Sequence, residues 1–181
     1  MKNALIFIVA IVIAGAAGFG LQQYLAEDTI TGIDKNNSII GQTRPEFAMM
    51  DIDGNIRNIK DWDGQVVLLN FWATWCPPCL EEIPDFIEVQ EALENKGLQI
   101  IGVAVDNEED VRQFASDMAM NYPIMAGEME AIELSQKYGN SIGGLPFSAI
   151  IDKNGIVTHT ITGELRKERL ISILKQLGLP V

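Results

Sequence analysis

The chain has 181 residues and a formal net charge of −12, from 13 basic and 25 acidic side chains. That balance lacks the clustered Lys and Arg that a nucleic-acid backbone or an anionic membrane surface would require, so no nucleic-acid partner is expected. An apolar fraction of 48% supplies one sizeable core, while the only two cysteines, Cys76 and Cys79, close too small a loop to staple a scaffold.

Ala4 to Leu21 is an uncharged run of 18 residues, rich in Leu, Ile, Val, Ala and Gly. A helix of that length can cross a bilayer. Lys2 precedes it and Glu27 and Asp28 follow it, which keeps the amino end cytoplasmic. Residues 1–26 are therefore expected to anchor the chain in the membrane. A cleaved signal peptide is the alternative, because the Gly/Ala-rich stretch Ala14–Gly20 could be its cleavage end. Either reading sends the remainder out of the cytoplasm, where disulfides persist. No cysteine lies nearby to carry a lipid.

Residues 27–44 are polar and read as a linker, and residues 45–181 read as one folded domain. Phe47–Ile52 and Ile56–Ile59 flank Asp53-Gly54, a hairpin signal. Val66–Phe71 is a short apolar run that suits a strand buried on both faces. Cys76–Asn95 has helical spacing and is followed by Gly97, with Pro84 expected to bend it. Leu98–Val105 is a second buried strand. Glu108–Met120 reads as a helix, Tyr122–Met125 as a short strand and Glu130–Tyr138 as a helix. Phe147–Asp152 and Ile156–Ile161 form a second hairpin, and Leu165–Leu177 a closing amphipathic helix. This alternation predicts an α/β fold with a central mixed sheet, helices on both faces and an added amino-terminal hairpin.

The run Phe71-Trp72-Ala73-Thr74-Trp75-Cys76-Pro77-Pro78-Cys79 falls where a buried strand gives way to a helix. The thiolate is the nucleophile in disulfide exchange, and a helix amino terminus favours it through free N–H groups and the positive dipole end. Cys76 at that terminus is the expected nucleophile. Cys79, one turn further in and more buried, is the expected resolving thiol. Pro77 is tolerated in the first turn because its missing N–H is not needed there. A zinc site needs about four ligands, and His159 is the only other candidate of the usual type, so no metal is expected. The dithiol–disulfide Cys76–Cys79 is itself the redox group, with no further cofactor.

From about Gly41 onward the chain resembles the TlpA/ResA/CcmG group of thioredoxin-like proteins, within the broader redoxin family. The resemblance rests on Pro45-Glu46-Phe47, Asp53-Gly54, Asn70 through Cys79, Glu82-Ile83-Pro84 and Gly144-Leu145-Pro146. It implies a thioredoxin-like fold with an extra segment at about residues 106–140. It implies that Pro146 is cis and faces the cysteines, and that the backbone beside it, at Leu145, binds an incoming peptide. Trp75, Pro77, Leu145 and Pro146 are accordingly the expected substrate contacts. Glu82 shares a helix face with Cys79, and the resemblance implies a partly buried carboxyl that exchanges a proton with it. Asn70 replaces the acid that many thioredoxins carry beneath the second cysteine. Trp72 and His159 read as structural.

The resemblance implies an exported protein-disulfide reductase, held at the bacterial cytoplasmic membrane and fed by a membrane thiol donor. Exported disulfide proteins, apocytochrome c among them, are the implied substrates. Two alternatives exist. A thiol peroxidase of the redoxin type places Thr or Ser three residues before its cysteine, where this chain has Ala73, with Thr74 one residue late. A copper chaperone of this fold uses a wider Cys-x3-Cys pair with a His, which this chain lacks.

Overall fold

The computed structural model describes residues 38–181, and residues 39–181 fold as one unit. The expected anchor at residues 1–26 lies outside the described residues. Among the described residues, no helix is long and apolar enough to cross a membrane. In chain order the elements are β1 (Ala48–Met50), β2 (Ile56–Asn58), a 3-10 turn (Ile59–Trp62), β3 (Val66–Trp72), α1 (Pro77–Leu93), β4 (Leu98–Ala104), α2 (Glu108–Asp117), β5 (Ile124–Ala126), α3 (Met129–Lys137), β6 (Phe147–Ile151), β7 (Val157–Thr162) and α4 (Lys167–Gln176).

The central sheet has the order β5-β4-β3-β6-β7. β3 runs parallel to β4 and antiparallel to β6, so the expected mixed sheet is present, with β3 in its middle. All seven residues of β3 are buried, as its composition, apolar but for Asn70, demands. Alternation divides them between two cores. Val66, Leu68 and Trp72 join a core under α1, α2 and α4. Val67, Leu69 and Phe71 join a core on the other face, closed by α3, Met49 of the hairpin and Trp62. Each large apolar side chain sealed in this way contributes about 1.5–3 kcal/mol. By the same alternation Asn70 faces α1, as do its neighbour Ser148 on β6 and, further along, Ile150.

Several boundaries differ from the sequence reading, three of them for a visible reason. The folded unit begins at Ile39, six residues before the expected start of the domain at Pro45. Residues 41–44 bond to the second hairpin through Gly41 N to Val157 O and Arg44 N to Gly155 O, each 2.8 Å, and backbone pairing of this kind leaves no mark on composition. The helix expected to reach Met120 ends at Asp117. Ala119 takes a left-handed φ of 51°, and Met120 N closes the end onto Ala115 O. α1 tightens after Leu93 into a 3-10 turn that stops at Gly97, with φ 94°. It continues through Pro84. The segment 106–140 holds α2, β5 and α3, and β5 extends the sheet beside β4.

Candidate active site

β3 delivers the redox motif to the end of the sheet where β4, β5 and β7 also finish and β6 begins. Cys76 is the amino-terminal cap of α1, with Pro77 and Pro78 in the first turn. Cys76 and Cys79 are joined as a disulfide, Cα to Cα 5.3 Å. Cys76 is 4% exposed and Cys79 is sealed. The free amide donors expected around Cys76 are not available. Pro77 and Pro78 have none, and the amides of Cys79 and Leu80 both bond to Cys76 O, at 3.0 and 3.2 Å. What remains to favour a thiolate at Cys76 is the positive end of the 17-residue helix that it caps.

The turn before Cys76 is clamped from β4. Thr74 donates to Asp106 Oδ2 twice, from its backbone N at 3.2 Å and its hydroxyl at 2.5 Å. Asp106 Oδ1 accepts from Asn107 N at 2.9 Å. Sequence reasoning missed Asp106. The available signal was a polar acid directly after a buried strand that runs parallel to β3. Between this clamp and the disulfide, Trp75 is 65% exposed, whereas Trp72 is fully buried and packs on Phe114 with ring centroids 5.4 Å apart.

Glu82 is fully buried one turn after Cys79, and the two belong to the same helix face. Its Oε1 accepts from Asn70 Nδ2 at 2.7 Å, and its Oε2 accepts from Leu165 N at 2.8 Å. Asn70 also donates to Ser148 Oγ at 3.1 Å. Asn70 and Glu82 are thus in direct contact, and Ser148 and Leu165 are members that the sequence reading did not include. Burial pushes the carboxyl up, the two donors pull it down and the nearby Glu164 charge pushes it up again. Burial wins, and the group rises from the ordinary 4.5 to about 7. Tyr122, buried in the same core, has its hydroxyl pushed up by burial and by the Glu82 charge.

The Leu145–Pro146 bond is cis, and Pro146 is buried immediately before β6. Since Phe71 pairs with Phe147, this bond lies beside the chain leaving β3 for Cys76. Leu145 packs against both cores. Pro77 is exposed beside Cys76. His159 lies within β7, part-buried, its Nδ1 3.0 Å from Thr158 Oγ1.

The AhpC/TSA family profile matches residues 40–160. Thiol-disulfide oxidoreductase ResA of Bacillus thuringiensis (strain Al Hakam) is 36% identical over 183 residues, covering 97% of this chain and 98% of its own. A thiol:disulfide interchange protein of the thioredoxin family from Chlorobium tepidum TLS superposes with a TM-score of 0.69 at 32% identity, over 75% of this chain and 96% of that one. A second Chlorobium tepidum structure, described as a thiol:disulfide interchange protein DsbE, gives 0.70 at 31% identity, over 77% and 98%. A Cys-Pro-Pro-Cys disulfide capping a helix and a cis proline beside it stand in a mixed five-stranded sheet, and with these matches the chain belongs to the AhpC/TSA family and, within it, to the thiol-disulfide oxidoreductases of the ResA kind.

Proposed function

We propose that this enzyme reduces disulfides in exported proteins, with Cys76 as nucleophile, Cys79 as resolving thiol and Glu82 as the proton-exchanging group behind them. The observation that carries the reading is the asymmetry of the pair. Cys76 caps the helix with a small residual exposure, whereas Cys79 is sealed and sits one helical turn from a buried carboxyl pushed up to about 7. In the reduced enzyme the Cys76 thiolate attacks one sulfur of the substrate disulfide. That S–S bond breaks, a mixed disulfide forms and the first substrate sulfur leaves as a thiol after taking a proton. Cys79, its proton passed to Glu82, then attacks the Cys76 sulfur and releases the second substrate thiol. Two electrons reach the substrate with two protons, one from solvent and one that Glu82 gives back, and the Cys76–Cys79 disulfide remains. A membrane thiol donor reduces it again.

Trp75, Pro77, Leu145 and Pro146 form the substrate-facing rim in this reading. Residues 1–26 tether the domain to the outer side of the bacterial cytoplasmic membrane, and apocytochrome c awaiting haem attachment is the favoured substrate. No metal and no further cofactor take part. A peroxidase role is disfavoured because the Thr74 hydroxyl is committed to Asp106.

Cys76→Ser is expected to abolish insulin-disulfide reduction, and Cys79→Ser to accumulate a mixed disulfide with its partner in the intact cell envelope. Insulin reduction at the normal rate by Cys76→Ser would sink the assignment.

A further inference from the structure

Ile142 is 83% exposed, more than any other large apolar side chain among the described residues. Exposed aliphatic side chains on surfaces are common and ordinarily need no explanation. This one sits on a built loop. Asn140, only 2% exposed, closes residues 140–144 with both ends of its side-chain amide. Its Nδ2 donates to Gly144 O at 2.9 Å and its Oδ1 accepts from Gly144 N at 3.1 Å. The same Nδ2 reaches Ser135 Oγ at 3.3 Å, which ties the loop to α3. The backbone adds Gly143 N to Asn140 O at 3.1 Å, and Gly143 takes a φ of 65° that favours glycine. A buried amide with donor and acceptor both used holds one loop geometry. That geometry presents Ile142 to solvent.

The position of the loop gives the exposure its meaning. It enters β6 through the cis Leu145–Pro146 bond, and β6 pairs with β3, whose exit carries Trp75 and Cys76. Disulfide exchange requires a substrate segment to lie against Cys76, so the adjacent loops continue the surface that the reaction itself uses. Trp75 on one of them and Ile142 on the other are both exposed apolar side chains.

We propose that Ile142 is a specificity-determining contact, which takes a large apolar side chain beside the cysteine of the substrate segment docked on Cys76. Asn140 is its positioning residue. The inference rests on the reductase reading above and adds the class of segment preferred: extended, with Leu, Ile, Val or Phe next to its disulfide.

The test uses the full chain, reduced with dithiothreitol, and two glutathionylated peptides that differ only in Leu or Ser beside the cysteine. Hydroxyethyl disulfide serves as a substrate with no side chains to recognise. The wild type is expected to favour the Leu peptide about fivefold in kcat/KM, the effect of part-burying one aliphatic side chain. Ile142→Ser should bring that ratio close to one, mainly through KM. Asn140→Ala should do the same, and Asn140→Gln should not restore the preference, because its longer arm does not fit the same two bonds. A wild type that reduces hydroxyethyl disulfide yet shows no Leu preference, or an Ile142→Ser ratio equal to wild type, overturns this inference alone. A wild type that reduces none of the three removes the reductase reading and this inference with it.

Discussion

Two carboxylates are buried in this domain, Asp51 at 3% exposure and Glu82 at 0%, and they are driven in opposite directions. Asp51 lies in the β1–β2 turn. Its Oδ1 accepts from the amides of Asp53 and Asn55 at 3.0 and 2.8 Å, and its Oδ2 accepts from Arg57 Nε at 2.6 Å. Burial pushes it up, but the turn amides and the Arg57 cation outweigh burial and hold it below the usual range. Glu82 has two N–H donors and no cation, and the charge that acts on it is the negative Glu164. At Glu82 two amide donors do not offset deep burial, whereas at Asp51 the amides of the turn and the Arg57 cation together outweigh a smaller desolvation. Asp51 is therefore a fixed pin of the hairpin turn, whereas Glu82 can change charge near neutral pH.

Glu82→Gln should separate the two carboxylates most clearly. Between pH 4.5 and about 7 the folded protein keeps a proton on Glu82 that the unfolded chain has released. The wild type therefore loses stability as pH rises through that window, by about 3 kcal/mol. The variant has no such titration. Urea unfolding of the two oxidised proteins from pH 4.5 to about 8 should show their difference moving by that amount in favour of Gln. Parallel curves would mean that Glu82 does not hold its proton there. The reductase pH–rate profile should lose its limb near 7 in the same variant, and an unchanged profile removes Glu82 from the mechanism.

Arg57→Leu attacks the other carboxylate. Arg57 is 39% exposed, so solvent screens part of the pair, and the loss at pH 7 is expected to be about 1–2 kcal/mol. Asp51 contributes stability that is present above its unfolded pKa and lost as pH falls through its folded one. Without the cation that acid loss should shrink, so the variant's deficit should be smaller in acid than at pH 7. An equal deficit at both would separate Asp51 from Arg57. The smallest effect belongs to the half-buried Asp106. Thr74→Val removes its hydroxyl donor and should cost about 1 kcal/mol in urea unfolding. Insulin reduction should slow severalfold as the turn before Cys76 loosens, and an unchanged rate would make the clamp irrelevant to the chemistry.

Much of this was legible from residue order. The apolar run Val66–Phe71 announced a strand buried on both faces, and Cys-Pro-Pro-Cys after it announced a helix start with a reactive cap. Glu82 stood out through its three-residue spacing from Cys79. Its surroundings did not, because Leu165, which donates to it, is 83 residues away and Ser148 is linked to it only through Asn70, 78 residues from Ser148, so that both arrive by sheet register and chain return. Asp106 was hidden for the same reason. Its carboxylate serves Thr74 across a parallel pairing that local periodicity does not encode. The six residues before Pro45 looked like linker because the bonds that join Gly41 and Arg44 to the second hairpin are made by backbone. The role of proline was half visible: its suitability for a first helical turn could be read, but the removal of free amides from around Cys76 required seeing where the remaining two bond.

Strand β3 has partners on both sides along most of its length. Its central amides should exchange with deuterium only when the whole domain opens, whereas residues 140–144 owe their shape to a handful of local bonds. The sulfur chemistry thus hangs from the most permanent part of the molecule, and the neighbouring contact surface from a part that can be exchanged. Grafting a different closed loop between Gly139 and Leu145 offers a route to redirecting this enzyme among partners while leaving its electron-carrying pair as it is.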